Sequence, residues 1–232
     1  MTVTSLVRHA TVVCSLLLVA ALLALPAHAA PPPEETALNS PWFPETLSSG
    51  VYHTCALRTD GTAACWGENF PHGQATPPAG TFAQVSAGAW HTCGLRTDGT
   101  LACWGKDDDG QATPPAGTFT QVTCGGNHTC GVQTDGTLDC WGLDGNGQAT
   151  PPTGAFSQVS AGGAFTCGLR TDGTLDCWGS DGNGQATPPS GTFRQVSAGS
   201  YHTCGLRTDG TLDCWGLDGN GQATPPPSVG RR

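Results

Sequence analysis

Lysine is almost missing from this chain: Lys106 is the only one, and charged residues of all kinds make up 12% of the sequence. The 9 basic residues face 18 acidic ones, a formal net charge of −9. So acidic a surface repels phosphate backbones and excludes nucleic acid as a partner. Charge is also too sparse for the highly charged disordered class. Long apolar runs are equally scarce. The single one, Ala10 to Leu25, follows Arg8 and His9 and is broken by Pro26. Ala27-His28-Ala29 then offers small residues at the two cleavage-site positions, so residues 1–29 read as a signal peptide. The run is shorter than the roughly 20 residues a spanning helix needs. It has no stop-transfer flank, and no cysteine follows closely enough for a lipid anchor. The expected product is secreted, extracellular or periplasmic, with no membrane span after cleavage.

Glycine (34) and proline (18) are abundant, which predicts many turns and leaves little room for long helices. They fall in a repeat. Cys55-Ala-Leu-Arg-Thr-Asp-Gly-Thr-Ala-Ala-Cys65-Trp66-Gly67 recurs with cysteines at 93 and 103, 130 and 140, 167 and 177, and 204 and 214. The units are spaced by 38, 37, 37 and 37 residues. Each carries Gly-Gln-Ala-Thr-Pro-Pro, as at Gly73 to Pro78, and then a segment such as Thr81 to Gly88. Thr166 to Gly179 is repeated verbatim from Thr203 to Gly216, which points to duplication within the gene. A fixed period of this size is the mark of a repeat architecture.

Within a unit, Thr-Asp-Gly sits between two short runs of β character and predicts a hairpin. A two-residue Asp-Gly turn would put Cys93 and Cys103 on opposite faces. A three-residue loop, Thr97-Asp98-Gly99 with glycine left-handed, sets Cys93 opposite Cys103 and Leu95 opposite Leu101. Cα atoms at a non-hydrogen-bonded pair lie about 4.5 Å apart, within a disulfide's reach. An oxidising compartment then predicts five intra-hairpin disulfides: Cys55–Cys65, Cys93–Cys103, Cys130–Cys140, Cys167–Cys177 and Cys204–Cys214. Such spacing, with no Cys-x-x-Cys and no histidine pair, fits zinc poorly. Cys14 leaves with the signal peptide. Cys124, among small apolar neighbours, reads as a buried inert thiol. Trp66, Trp104, Trp141, Trp178 and Trp215 occupy the other hairpin face. Gly94, Gly131, Gly168 and Gly205 are expected to leave room for the indoles, and each tryptophan to pack on the next blade.

The unit His-Thr-Cys-Gly-Leu-x-Thr-Asp-Gly-Thr-Leu-x-Cys-Trp-Gly followed by Gly-Gln resembles the regulator of chromosome condensation repeat, in its short cysteine-bearing bacterial form. The resemblance runs over about residues 47 to 226. It implies an all-β, propeller-like array of five blades of about 37 residues, one disulfide per hairpin, as a closed ring or an open arc. It is similar in this to the propeller-type β-lactamase inhibitor protein. The family usually builds seven blades. None of the residues of the nucleotide-exchange surface of the family's chromatin-bound members can be placed here. The expected organisation is a linker at 30–44, the repeat domain at 45–226 and a tail at 227–232. Glu45 to Gly50 matches the Phe-x-x-Val segment that the last unit lacks. It is a candidate to complete the final blade and close the ring. Left open, the arc exposes a blade face that invites dimerisation.

Few residues bear chemistry. Asp144-Gly-Asn146-Gly-Gln148, repeated at Asp181 and Asp218, resembles half a calcium loop but lacks the bidentate glutamate. Four histidines, His53, His91, His128 and His202, share a position that Phe165 also fills, which marks it as structural. Arg170 and Asp176 fall diagonally on one hairpin face, within reach of an ion pair. No catalytic set, metal site or cofactor is expected. The function expected is a non-enzymatic binding or scaffold module for an extracellular protein, recognised through propeller loops. A lectin-like module stacking sugar on the loop aromatics Phe70, Trp90 and Tyr201, a structural surface protein, and a propeller hydrolase or lyase are the alternatives.

Overall fold

The computed structural model describes residues 42–226, with side chains from Leu47 onward. The expected signal peptide, nearly all of the linker and the tail lie outside the described residues. Every regular element described is a strand, and no helix long and apolar enough to cross a membrane occurs among them. Three antiparallel strands form each of five sheets. The first holds β1 (Trp42–Ser49), β2 (His53–Arg58) and β3 (Ala63–Gly67). The second holds β4 (Phe82–Ala87), β5 (His91–Arg96) and β6 (Leu101–Gly105). β7 (Phe119–Cys124), β8 (His128–Gln133) and β9 (Leu138–Gly142) make the third. The fourth is β10 (Phe156–Ala161), β11 (Phe165–Arg170) and β12 (Leu175–Gly179). The fifth is β13 (Phe193–Ala198), β14 (His202–Arg207) and β15 (Leu212–Gly216).

The hairpin register follows from the turn. Arg96 N donates to Thr100 O at 2.8 Å, closing a loop of Thr97, Asp98 and Gly99. Gly99 has φ +85°, and Asp98 accepts from the amide and hydroxyl of Thr100 at 2.9 and 2.7 Å. A left-handed residue at this place is cheap only for glycine. Cys93 therefore faces Cys103 and Leu95 faces Leu101. Each of the five hairpins carries its own disulfide, with Cα atoms 4.0–4.1 Å apart.

Each blade begins with a strand, Phe-x-x-Val in the second to fifth, and ends with the hairpin, so the strand belongs to the hairpin that follows it. This corrects the expectation for the N-terminal segment. β1 pairs with β2 in the first sheet, and does not complete the last. The fifth blade has its own Phe193-x-x-Val196 strand in β13. Three residues connect β4 to β5, whereas a long segment separates β3 from β4. The short link makes antiparallel neighbours.

The blades stack through one repeated apolar interface. Phe82, Val85 and Trp104 of the second blade pack on Cys55, Leu57 and Ala63 of the first. The same set joins second to third, third to fourth and fourth to fifth blades. The face bearing phenylalanine and tryptophan is the leading face; the face bearing the disulfide is the trailing face. The indoles thus pack on the preceding blade, not on the next. The glycine opposite is needed chiefly for phenylalanine. A Cβ on Gly94 would come within 2.4 Å of the Phe82 ring.

Candidate binding surface

Polar bonds repeat across each interface as faithfully as the apolar ones. Gln74 O accepts from the Thr92 hydroxyl at 3.0 Å and from the Trp104 indole at 2.8 Å. The Thr92 proton is thereby committed, so His53 Nε2 must donate to Thr92 Oγ1, 2.6 Å away. His91 and His128 repeat this on Thr129 and Thr166. Along the inner strands, the Gln84 amide bonds both ways with the Val122 backbone, at 3.0 and 3.1 Å. Ser86 Oγ accepts from Cys124 N at 2.9 Å. These histidines are buried and neutral: burial pulls His91 down to about 3 and His128 to about 4. They hold blades together and are far from free acid–base groups.

His53 pairs with Gly67, so the β1–β2 loop and the segment after β3 share one end of the blade, here the upper end. The Thr-Asp-Gly turns lie at the lower end. At the upper end the loops join hand to hand. Val51 N donates to Gly88 O, Ala89 N to Gly125 O and Gly126 N to Gly162 O. Around them runs a central opening of about 260 Å³, lined by glycine, alanine and serine with Val51 and Cys124. No carboxylate or imidazole lines it among the described residues. Burial pushes the Cys124 thiol up to about 12, so at neutral pH it is not a thiolate nucleophile.

The hand-to-hand loops bring Tyr52 against Trp90, ring centroids 4.3 Å apart and tilted by 32°. His72 meets Trp90 edge-on at 6.0 Å. Phe70, in the same segment as His72, is 83% exposed, and Tyr52 is 52% exposed. Of the loop aromatics singled out from sequence, Trp90 lies in the cluster with Tyr52 and His72, and Phe70 is exposed two residues before His72 in the same loop. Tyr201 is exposed on the fifth blade and makes no ring contact with them among the described residues. Tyr52 and His72 were missed. Two signals point to them: Tyr52 holds the Trp90 position of the first unit, and the 38-residue first spacing marks a longer loop around His72.

The upper end is also acidic. Glu68, Asp107, Asp108, Asp109, Asp144, Asp181 and Asp218 all follow an outer strand there, against Lys106 as the one lysine. The aspartates of the glycine-rich turns are spent on their own loop. Asp144 accepts from Ala149 N at 2.7 Å and from the Thr150 hydroxyl at 2.6 Å. Asp181 and Asp218 do the same. Internal capping of this kind explains the half-motif without a cation. Among the described residues no group of three His, Cys, Asp or Glu is placed to hold a metal. At the other end, Arg170 Nε donates to Asp176 at 2.6 Å while its guanidinium lies 4.7 Å over the Phe156 ring. Arg207 repeats both contacts with Asp213 and Phe193.

Three-stranded blades, stacked face to face around a central opening, define a propeller-type repeat protein. The model of the regulator of chromosome condensation (RCC1) repeat matches residues 46–74, 82–111, 119–148, 156–185 and 193–222, and the chain belongs to that family. No curated protein matches it. Among solved structures, the ectodomain of the receptor kinase CR4 from Physcomitrella patens is 31% identical. The alignment covers 73% of this chain and 49% of that one, with a TM-score of 0.62. The ectodomain of the Arabidopsis thaliana receptor kinase ACR4 is 30% identical over 74% of this chain and 62% of its own, TM-score 0.61. Yeast RCC1 (Prp20), crystallised with Kap60, shares the fold alone at 18% identity. It covers 75% and 56% of the two chains, with a TM-score of 0.65. The chain therefore spans about half to three-fifths of the length of these structures.

Proposed function

We propose that the chain is a secreted, non-enzymatic binding module that grips an extracellular protein at its upper end. The observation that carries this reading is the aromatic cluster of Tyr52, Trp90 and His72, with Phe70 exposed in the same loop as His72. It sits where the repeat departs from itself, on a scaffold whose blades are otherwise nearly identical. Exposed aromatics on rigid loops are favoured anchors for partners. The acids around them select a partner surface that is basic and partly apolar. Secretion is inferred from residues 1–29 and fits a domain with five disulfides. The two plant relatives are receptor-kinase ectodomains, which agrees with an extracellular setting. The central opening is lined by glycine, alanine and serine with Val51 and Cys124, whose thiol burial keeps protonated, a lining that suits binding better than hydrolysis.

A photo-reactive side chain in place of Phe70, exposed to the producing organism's culture medium, tests this. One saturable protein adduct is expected, weakened by salt and lost with Trp90→Ala. Competition by free sugars would move the patch to carbohydrate. No saturable adduct of either kind would leave only the structural-repeat reading.

A further inference from the structure

Four times among the described residues a trailing face receives a leading face, and two such faces are left over. We propose that they are the halves of a fifth interface, formed head to tail between two copies of this chain. This goes beyond the recognition patch, which lies on the loops, not on the blade faces.

The trailing half in the fifth blade is chemically complete. Leu212 is 49% exposed, whereas its counterparts Leu175 and Leu138 are 8% and 9% exposed beneath a following blade. Cys204 and Leu206 are only partly covered, while Cys167 and Leu169 are 0% and 5% exposed. The Gln222 segment keeps the turn of its counterparts although no blade follows it among the described residues. Asn220 N donates to Gln222 Oε1 at 2.8 Å, and Ala223 N to Asp218 at 2.7 Å. Its carbonyl is thereby set to accept what Gln74 O accepts.

The leading half in the first blade keeps the threonine, tryptophan and aliphatic positions, as Thr54, Trp66 and Leu47, with Pro44 where the other blades have phenylalanine. The Thr54 hydroxyl occupies the position of Thr92, Thr129, Thr166 and Thr203, all 0% exposed, yet Thr54 is itself only partly buried. It is the group that Gln222 O and His202 would meet. Leu47 stands in the place of Val85 and is 66% exposed against 6%.

Among the described residues the chain does not unite these halves by itself. Middle strands pack on the next sheet's first strand at β2–β4, β5–β7, β8–β10 and β11–β13, and β14 does not pack on β1 in this way. Four interfaces of one geometry fix the arc, so its ends meet partners in another copy. Such a contact is heterologous: two copies close on each other or successive copies extend. The occupant is a second copy because the four internal interfaces show what covers a trailing face, namely the leading face of this same repeat.

The test is sedimentation of the full chain exported from a bacterial host, with Leu212→Asp and Leu47→Asp made separately. Both positions are exposed, and near-UV circular dichroism with a disulfide count by mass verifies folding. Wild type is expected to associate with rising concentration, and each variant alone to sediment as one chain. Mixing them restores a two-chain particle, since one retains its leading face and the other its trailing face. A monomeric wild type, association of either variant alone, or a mixture that stays monomeric would each overturn the proposal.

Discussion

His91 Nε2 lies 2.9 Å from Thr129 Oγ1, 38 residues along the chain and one blade away. The imidazole sits in a fully buried site, and that burial favours its neutral form. Burial lowers the folded pKa of His91 to about 3 and of His128 to about 4, and lowers His53 as well; the ordinary value is 6.5. The unfolded chain therefore binds more protons than the folded one between these values. Stability is complete above about pH 6.5 and falls as pH drops toward 3. Urea midpoints across that window are expected to decline with acid. His91→Phe should flatten the decline, because Phe165 already fills this position in the fourth blade, fully buried. An unchanged slope would mean that these imidazoles are not the acid-sensitive groups.

The interface clusters make their own demand. Phe119 is 3% exposed and seated on Cys93 and Leu95 of the preceding blade. Phe119→Ala is expected to cost about 3–5 kcal/mol in chemical unfolding. Leu212→Ala, on the half-exposed trailing face, should cost under about 1 kcal/mol under conditions where the chain is monomeric. Equal costs would contradict the stacking order given above.

Removing one staple gives a further check. The Cys130–Cys140 pair closes a loop with a sequence separation of 10. Replacing both cysteines by serine is expected to lower stability by roughly 2–3 kcal/mol, chiefly through the freer unfolded chain. The blade should persist, since its turn and ladder do not depend on the bridge. Loss of the whole array would show that the disulfides hold the fold where packing was thought to.

Much of this was legible from residues alone, for identifiable reasons. The register of Cys93 on Cys103 followed because only one turn length puts both apolar pairs on one face. The blade boundary was not legible from the period, since a repeat can be cut at any point. It lay in the three-residue link from Ala87 to His91, which pairs the Phe-x-x-Val strand forward. The faces of the tryptophans were readable, yet alternation along a strand does not say which neighbour an indole meets. Tyr52 and Trp90 occupy the same repeat position, and sequence gives no hint that loops of adjacent blades bring them to 4.3 Å.

The measurement that bears most directly on a secreted, disulfide-stapled array is the intact mass of the exported protein, alkylated before reduction. The expected chain begins at Ala30 and takes no label while native, since Cys124 is buried and its thiol lies near 12. In denaturant it takes one label, leaving five closed pairs. An uncleaved chain carrying twelve labels in denaturant would contradict both the export and the staples, and the extracellular role with them.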